Sequence, residues 1–235
     1  MRKLLLIILC AFLSMGAASR SFDGANDEVD MGVVLDVTTG NVSICVWIKT
    51  TQDATSDFML GKVSDGTGAT AGYGLFQSLD EPTHLISDAT EFLLNDSATD
   101  SDGIWYWDCG TWNSTTEFAR ILLNGVETDS DTGAGNIDSL SNAVEFAMGE
   151  TGNEGTDYLG LMAYGMQYGA VLNDVEINEL MWKPEIIVSN RGGFWPLWGD
   201  STEIDLSGNG RVGTLQGTTA STDGPPVAFG YMMPI

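Results

Sequence analysis

From residue 20 onward, short apolar runs alternate with clusters of Gly, Asp, Asn, Ser and Thr, and no long stretch repeats with the period of a helix. The runs Val42–Lys49, Phe58–Val63, Tyr73–Ser78, Thr83–Ser87, Glu91–Leu94, Ile104–Thr111, Glu117–Leu123, Ala143–Met148 and Tyr158–Met166 read as strands bounded by turns. The sharpest local signal is Asn124-Gly125 between two β-type runs. That pair favours a type I′ hairpin, in which both central residues take positive φ. One short helix is predicted over 174–181, with Asn173 as its cap and Glu176 completing a capping box. This pattern predicts an all-β fold: a two-sheet antiparallel β-sandwich of the jelly-roll kind.

The first 19 residues follow a different rule. Arg2 and Lys3 precede an apolar run from Leu4 to Leu13, and Gly16, Ala17, Ala18 and Ser19 follow it, the layout of a secretory signal with cleavage after Ala18 or Ser19. The run falls short of the ~20 residues that span a bilayer, so the expected product is exported without a stable membrane anchor. Residues 20–235 are then expected to form one domain, secreted or displayed on a virion or cell surface. Loss of the segment leaves 33 acidic residues against 7 basic, a balance of -26. It also leaves two cysteines, Cys45 and Cys109. These are either a disulfide or two small buried side chains, and spacing alone does not decide between them.

Charge narrows the partners. The full chain of 235 residues carries 33 Asp and Glu against 9 Lys and Arg, a net charge of -24, which repels phosphate backbones and anionic lipid surfaces. Nucleic acid is therefore not an expected partner. Only 18% of residues are charged and 43% are hydrophobic, which sets the chain apart from acidic disordered tails.

Several segments, taken in order, resemble the laminin G-like and pentraxin-like branch of the concanavalin A-like lectin/glucanase superfamily. Residues 21–29, with Phe22-Asp23-Gly24, Asp27 and Val29, are similar to that family's opening "FDG-x-x-D-x-V". Val42–Lys49 resembles its "T-I-x-A-W-V-K" strand, and residues 105–112 its "W-H-H-V-A-G-T-Y", with Tyr106 and Trp107 in place of histidines. The hairpin at Asn124-Gly125 and the run Leu172-Asn173-Asp174-Val175-Glu176-Ile177 resemble its "L-Y-V-N-G" and "L-S-x-x-E-I". Near the end, Trp195-Pro196-Leu197 and Asp205 to Leu215 resemble a motif that usually precedes "FDG". This implies a circular permutation in which residues 192–218 supply strands usually found at the domain N-terminus. The closing segment, with Pro196-Leu197-Trp198-Gly199 and Pro225-Pro226-Val227, is similar to that of lectin-like proteins of phage and marine bacterial type.

Candidate chemistry follows from residue type. A single histidine, His84, and no Gly-x-Ser-x-Gly elbow leave a His-based triad without support. The glucanase motif "E-x-D-x-x-E" finds its nearest match at Glu203-Ile204-Asp205, where Gly208 stands in place of the second glutamate. A non-catalytic protein is therefore expected, with a divergent glycoside hydrolase as the enzyme alternative. Calcium is the cofactor that the turn Asp23, Asn26, Asp27 would suit, and the resemblance implies a cation near the sandwich rim. Asp96, Asp100 and Asp102 crowd a second predicted loop, Asp129 and Asp131 a third, although Asp and Asn also serve turns for their own sake. Alternation along residues 105–113 separates Trp105, Trp107 and Cys109 from Tyr106 and Asp108. A sugar platform is expected on one face, formed by Tyr106, Asp108, Trp112 and Asn113. The sequons at Asn41, Asn95 and Asn113 matter only in a eukaryotic secretory pathway. The expected function is recognition of carbohydrate or glycoconjugate, with a structural or adhesion role through protein contacts as the alternative.

Overall fold

The structure, a computed structural model, describes residues 19–38, 40–52, 57–63, 71–78, 80–88, 91–95, 102–132, 139–150, 157–186, 188–199 and 201–227, with side chains of 91–95 excepted. Residues 1–18 of the expected leader, Asp96 and Asp100 lie outside the described residues.

Two antiparallel sheets face each other. The first runs β10 (Val126–Thr132), β9 (Phe118–Leu123), β8 (Tyr106–Asn113), β3 (Val42–Lys49), β12 (Leu159–Tyr168), β1 (Ser19–Asp23) and β16 (Thr219–Ser221), while β13 (Arg191–Trp195) pairs with the far half of β12. The second runs β14 (Thr202–Glu203), β15 (Gly213–Gln216), β2 (Glu28–Asp30), β11 (Ala147–Met148), β4 (Asp57–Lys62), β5 (Ala71–Ser78), β6 (Glu81–Asp88) and β7 (Glu91–Asn95). The fold is the expected β-sandwich. Residues 191–221 add strands to both sheets, beside β12, β2 and β1.

Between the sheets lies a core that includes Phe22, Val29, Ile44, Val46, Ile48, Leu60, Leu75, Ile86, Trp112, Phe146 and Trp195. A second apolar layer covers the outer face of the first sheet. There α1 (Asp174–Trp182) lays Ile177, Leu180 and Met181 over Cys45, Trp47, Trp107 and Cys109. α1 begins as its sequence specifies: Asn173 accepts from the N–H groups of Val175 and Glu176, and the Glu176 carboxylate accepts from Asn173 N–H. The Asn124-Gly125 turn has φ of 54° and 76°, the positive pair a type I′ hairpin needs.

Cys45 and Cys109 stand opposite each other in the β3–β8 register and are joined as a disulfide, with Cα atoms 4.2 Å apart. This settles the alternative the sequence leaves open. One expectation is corrected: Asp129 and Asp131 belong to strand β10 and not to a loop. β10 is the edge of its sheet, and charge along an edge strand keeps it from pairing with another chain.

Candidate functional site

The platform expected on β8 does not form. Trp112 is 1% exposed within the inter-sheet core, Asp108 is fully buried, and Tyr106 packs against the same core. Alternation separates the two faces of β8 as expected, but the face bearing these residues points at the second sheet. Asn113, at the end of β8, accepts from the N–H groups of Thr115 and Thr116 (3.0 and 3.2 Å) and so closes the following turn.

The turn expected to hold calcium is largely satisfied by its own backbone. Asp27 Oδ2 accepts from Asp23 N–H (2.7 Å), Asp23 Oδ1 accepts from Ala25 N–H (2.9 Å), and Asn26 sits at φ 64°. Burial raises the Asp27 pKa; the bond from Asp23 N–H opposes it, and the neighbouring charges of Asp23 and Asp157 add to the rise. Among the described residues no three Asp, Glu, His or Cys side chains converge in a way that could hold a metal ion. The trio supplies two carboxylates and no cage. Asp102 likewise serves its own segment, accepting from Ile104 N–H and from the Tyr106 hydroxyl.

Other perturbed groups escaped the sequence reading because burial, not spacing, sets them. Glu28 is pushed up to about 7, chiefly by burial, with Asp30, Glu150 and Glu145 adding repulsion. Asp57 is pushed up to about 6 by burial and by Asp157. His84, fully buried, is lowered to about 4 by loss of solvent, and its ring occupies the space where a Cβ on Gly110 would lie.

A different cluster does reach solvent. On the outer face of the first sheet, Ser21 pairs with Leu161, Leu161 with Lys49, and Ser21 with Thr219, so these four positions form one row across four strands. Trp105, just before β8, is partly exposed and packs against the layer beneath α1. The segment after β16 folds back here. Asp223 Oδ2 accepts from Lys49 Nζ (2.6 Å), and its Oδ1 accepts from Trp105 Nε1 (3.1 Å). The bond from Lys49 is the main reason the Asp223 carboxyl lies below its ordinary range; partial burial opposes it and Trp105 supports it. A cavity of about 310 Å³ opens alongside, lined by Ser21, Lys49, Thr50, Thr51, Leu159 and Leu161.

Two shallow cavities flank α1. The larger apolar side chains there are Val175 and Trp182, 68% and 46% exposed, with Asn178 and Glu179 between them. Asn178 Nδ2 is already engaged by the carbonyls of Gly125 and Asp174. At the sheet row, by contrast, Lys49, Ser21, Thr50 and Thr51 line the cavity, and the Asp223 carboxylate joins Lys49 to the Trp105 indole. Such a mix, a few placed polar groups beside apolar surface, is what a small-ligand site requires.

A jelly-roll sandwich of two antiparallel sheets is the architecture of concanavalin A-like domains. The chain belongs to the concanavalin A-like lectin/glucanases superfamily: the laminin G family model of that description matches residues 23–178. Solved structures share the fold. A candidate carbohydrate-binding protein of Bacteroides ovatus superposes with a TM-score of 0.72 at 14% identity, over 91% of this chain and 62% of its own, so this chain spans about three-fifths of that protein. A heptameric SAP-like pentraxin of Limulus polyphemus gives 0.60 at 12% identity, over 87% and 98%. Domain 4 of an extracellular arabinanase from Geobacillus stearothermophilus, solved with arabinotriose, gives 0.55 at 17% identity, over 69% and 75%. At these identities the likeness establishes the fold alone. No match is found among the curated proteins.

Proposed function

We propose that this protein is a non-catalytic carbohydrate-recognition module whose site is Trp105 with the outer-face row of Lys49, Leu161, Ser21 and Thr219. The observation that carries the reading is the convergence of a partly exposed indole with Lys49 and Asp223 beside an open cavity. An aromatic ring offers apolar surface to the C–H face of a sugar, while the charged pair bonds its hydroxyls. The fold's occurrence in an arabinanase domain solved with arabinotriose supports the ligand class. Export to the cell exterior, expected from the leader, fits this role and is tested by fractionating the producing cells.

The test is a glycan array with wild-type protein and Trp105→Ala. Wild type is expected to bind, and the variant to lose roughly tenfold or more in affinity, the scale of one aromatic contact. Equal binding by both proteins would remove the site from this face.

Calcium assistance is a separate proposal. Asp23 and Asp27 offer two carboxylates, so an ion there would be held weakly, with Kd on the order of 10⁻⁴–10⁻³ M as in extracellular modules. Thermal melts in millimolar calcium and in chelator decide it: a higher Tm with calcium supports the ion, and coincident melts reject it. A protein-contact role is favoured by one observation, the exposed Val175 and Trp182 on α1. Pull-down that depends on Trp182 and not on Trp105 would select it.

A further inference from the structure

The polar atoms around Asp223 are only partly used. The Asp223 carboxylate accepts from Lys49 Nζ, from Trp105 Nε1 and from the Gly224 N–H, which leaves part of the roughly four acceptor positions of its two oxygens, and Lys49 Nζ has further N–H groups to donate. Lys49 is 30% and Asp223 46% exposed, so a ligand in the adjoining cavity can reach both. Two neighbouring hydroxyls fit this pair, one donating to Asp223 and one accepting from Lys49. An anionic group fits badly. It would compete with Asp223 for its ammonium and approach a chain of net charge -24.

The tail that carries Asp223 is seated by its main chain. Ser19 Oγ donates to the Asp223 carbonyl (2.5 Å), and Ser19 pairs with Ser221 in the sheet. These contacts hold the tail alongside the bonds that the carboxylate makes to Lys49 and Trp105.

Building on the carbohydrate reading, we propose that Asp223 and Lys49 form an orienting subsite for a vicinal diol of an uncharged sugar beside Trp105. The C-terminal segment after β16 is then a working part of the site, and acidic glycans are rejected.

The experiment is an array of neutral, sialylated and uronate-bearing glycans, followed by calorimetry on the best neutral binder, with α2,3-sialyllactose and lactose as an acidic and neutral pair. Wild type is expected to prefer neutral glycans, and its affinity should change little with salt. Asp223→Asn and Lys49→Met are each expected to lose about tenfold or more in affinity, with circular dichroism unchanged. Preference for acidic glycans, or full-strength neutral binding by Asp223→Asn while Trp105→Ala is impaired, would overturn this subsite and leave the carbohydrate reading standing. No binding to any glycan by wild type would overturn both.

Discussion

Arg20 is 1% exposed, yet it carries a full charge. Its guanidinium donates through Nε and Nη2 to Glu203 Oε1, through Nη1 to Thr218, and through Nη2 to the Gly199 carbonyl, tying β1 to the segment around β14. Removing one partner of a buried pair strands the other charge. Arg20→Met is expected to cost about 3–5 kcal/mol in urea unfolding, and Arg20→Met with Glu203→Leu much less. Glu28 gives the second prediction at this scale. Its folded pKa of about 7 exceeds the ordinary value of 4.5, so the folded state holds a proton that the unfolded state has released, and this contribution to stability is lost as pH rises from about 4.5 through 7. Glu28→Gln should therefore raise Tm most at pH 8, with the gain shrinking toward pH 5. His84 opposes this trend. Its lowered pKa makes stability fall as pH drops from 6.5 through about 4, so the comparison must be variant against wild type at each pH.

At the scale of elements, α1 was the most legible part of the molecule, because a capping box is a local device: Asn173 and Glu176 satisfy each other's backbone whatever lies around them. Asn173→Ala is expected to cost about 1 kcal/mol, read from the denaturation midpoint. β3 was legible to its last residue for a similar reason, an unbroken β-type run between turn residues. β8 was legible as a strand but not in its orientation. Alternation assigns Tyr106, Asp108 and Trp112 to one face and Trp107 and Cys109 to the other, and both faces are buried, one by the second sheet and one by α1. With apolar residues on both sides, the pattern carries no mark of which face is outward. β10 was misread because Asp129 and Asp131 are typical of turns, and its edge position, which tolerates charge, is a property of the assembled sheet.

For the molecule as a whole, the C-terminal strands are integral to the sandwich. β13 places Phe194 and Trp195, 3% and 0% exposed, in the two apolar layers, and β15 and β16 extend both sheets. Deleting residues 190–235 is expected to abolish cooperative thermal unfolding, since two large aromatic anchors and several strands leave together. An unchanged melting curve would show that the tail is a separate appendage. The candidate site depends on the same closure. Asp223 meets Lys49 and Trp105 across 174 and 118 residues of sequence, because the tail folds back beside β1.

By itself the sequence determined most of the longer strands, the hairpin turn, the capped helix and the all-β class, since the apolar alternation and turn residues that mark them lie within a few residues along the chain. Only the tertiary structure decided which strand face meets solvent, that Cys45 and Cys109 are joined, and that the exposed chemistry gathers around Trp105. These depend on what covers each face and on contacts between residues distant in sequence, and neither quantity is written into any local pattern of apolar and polar positions.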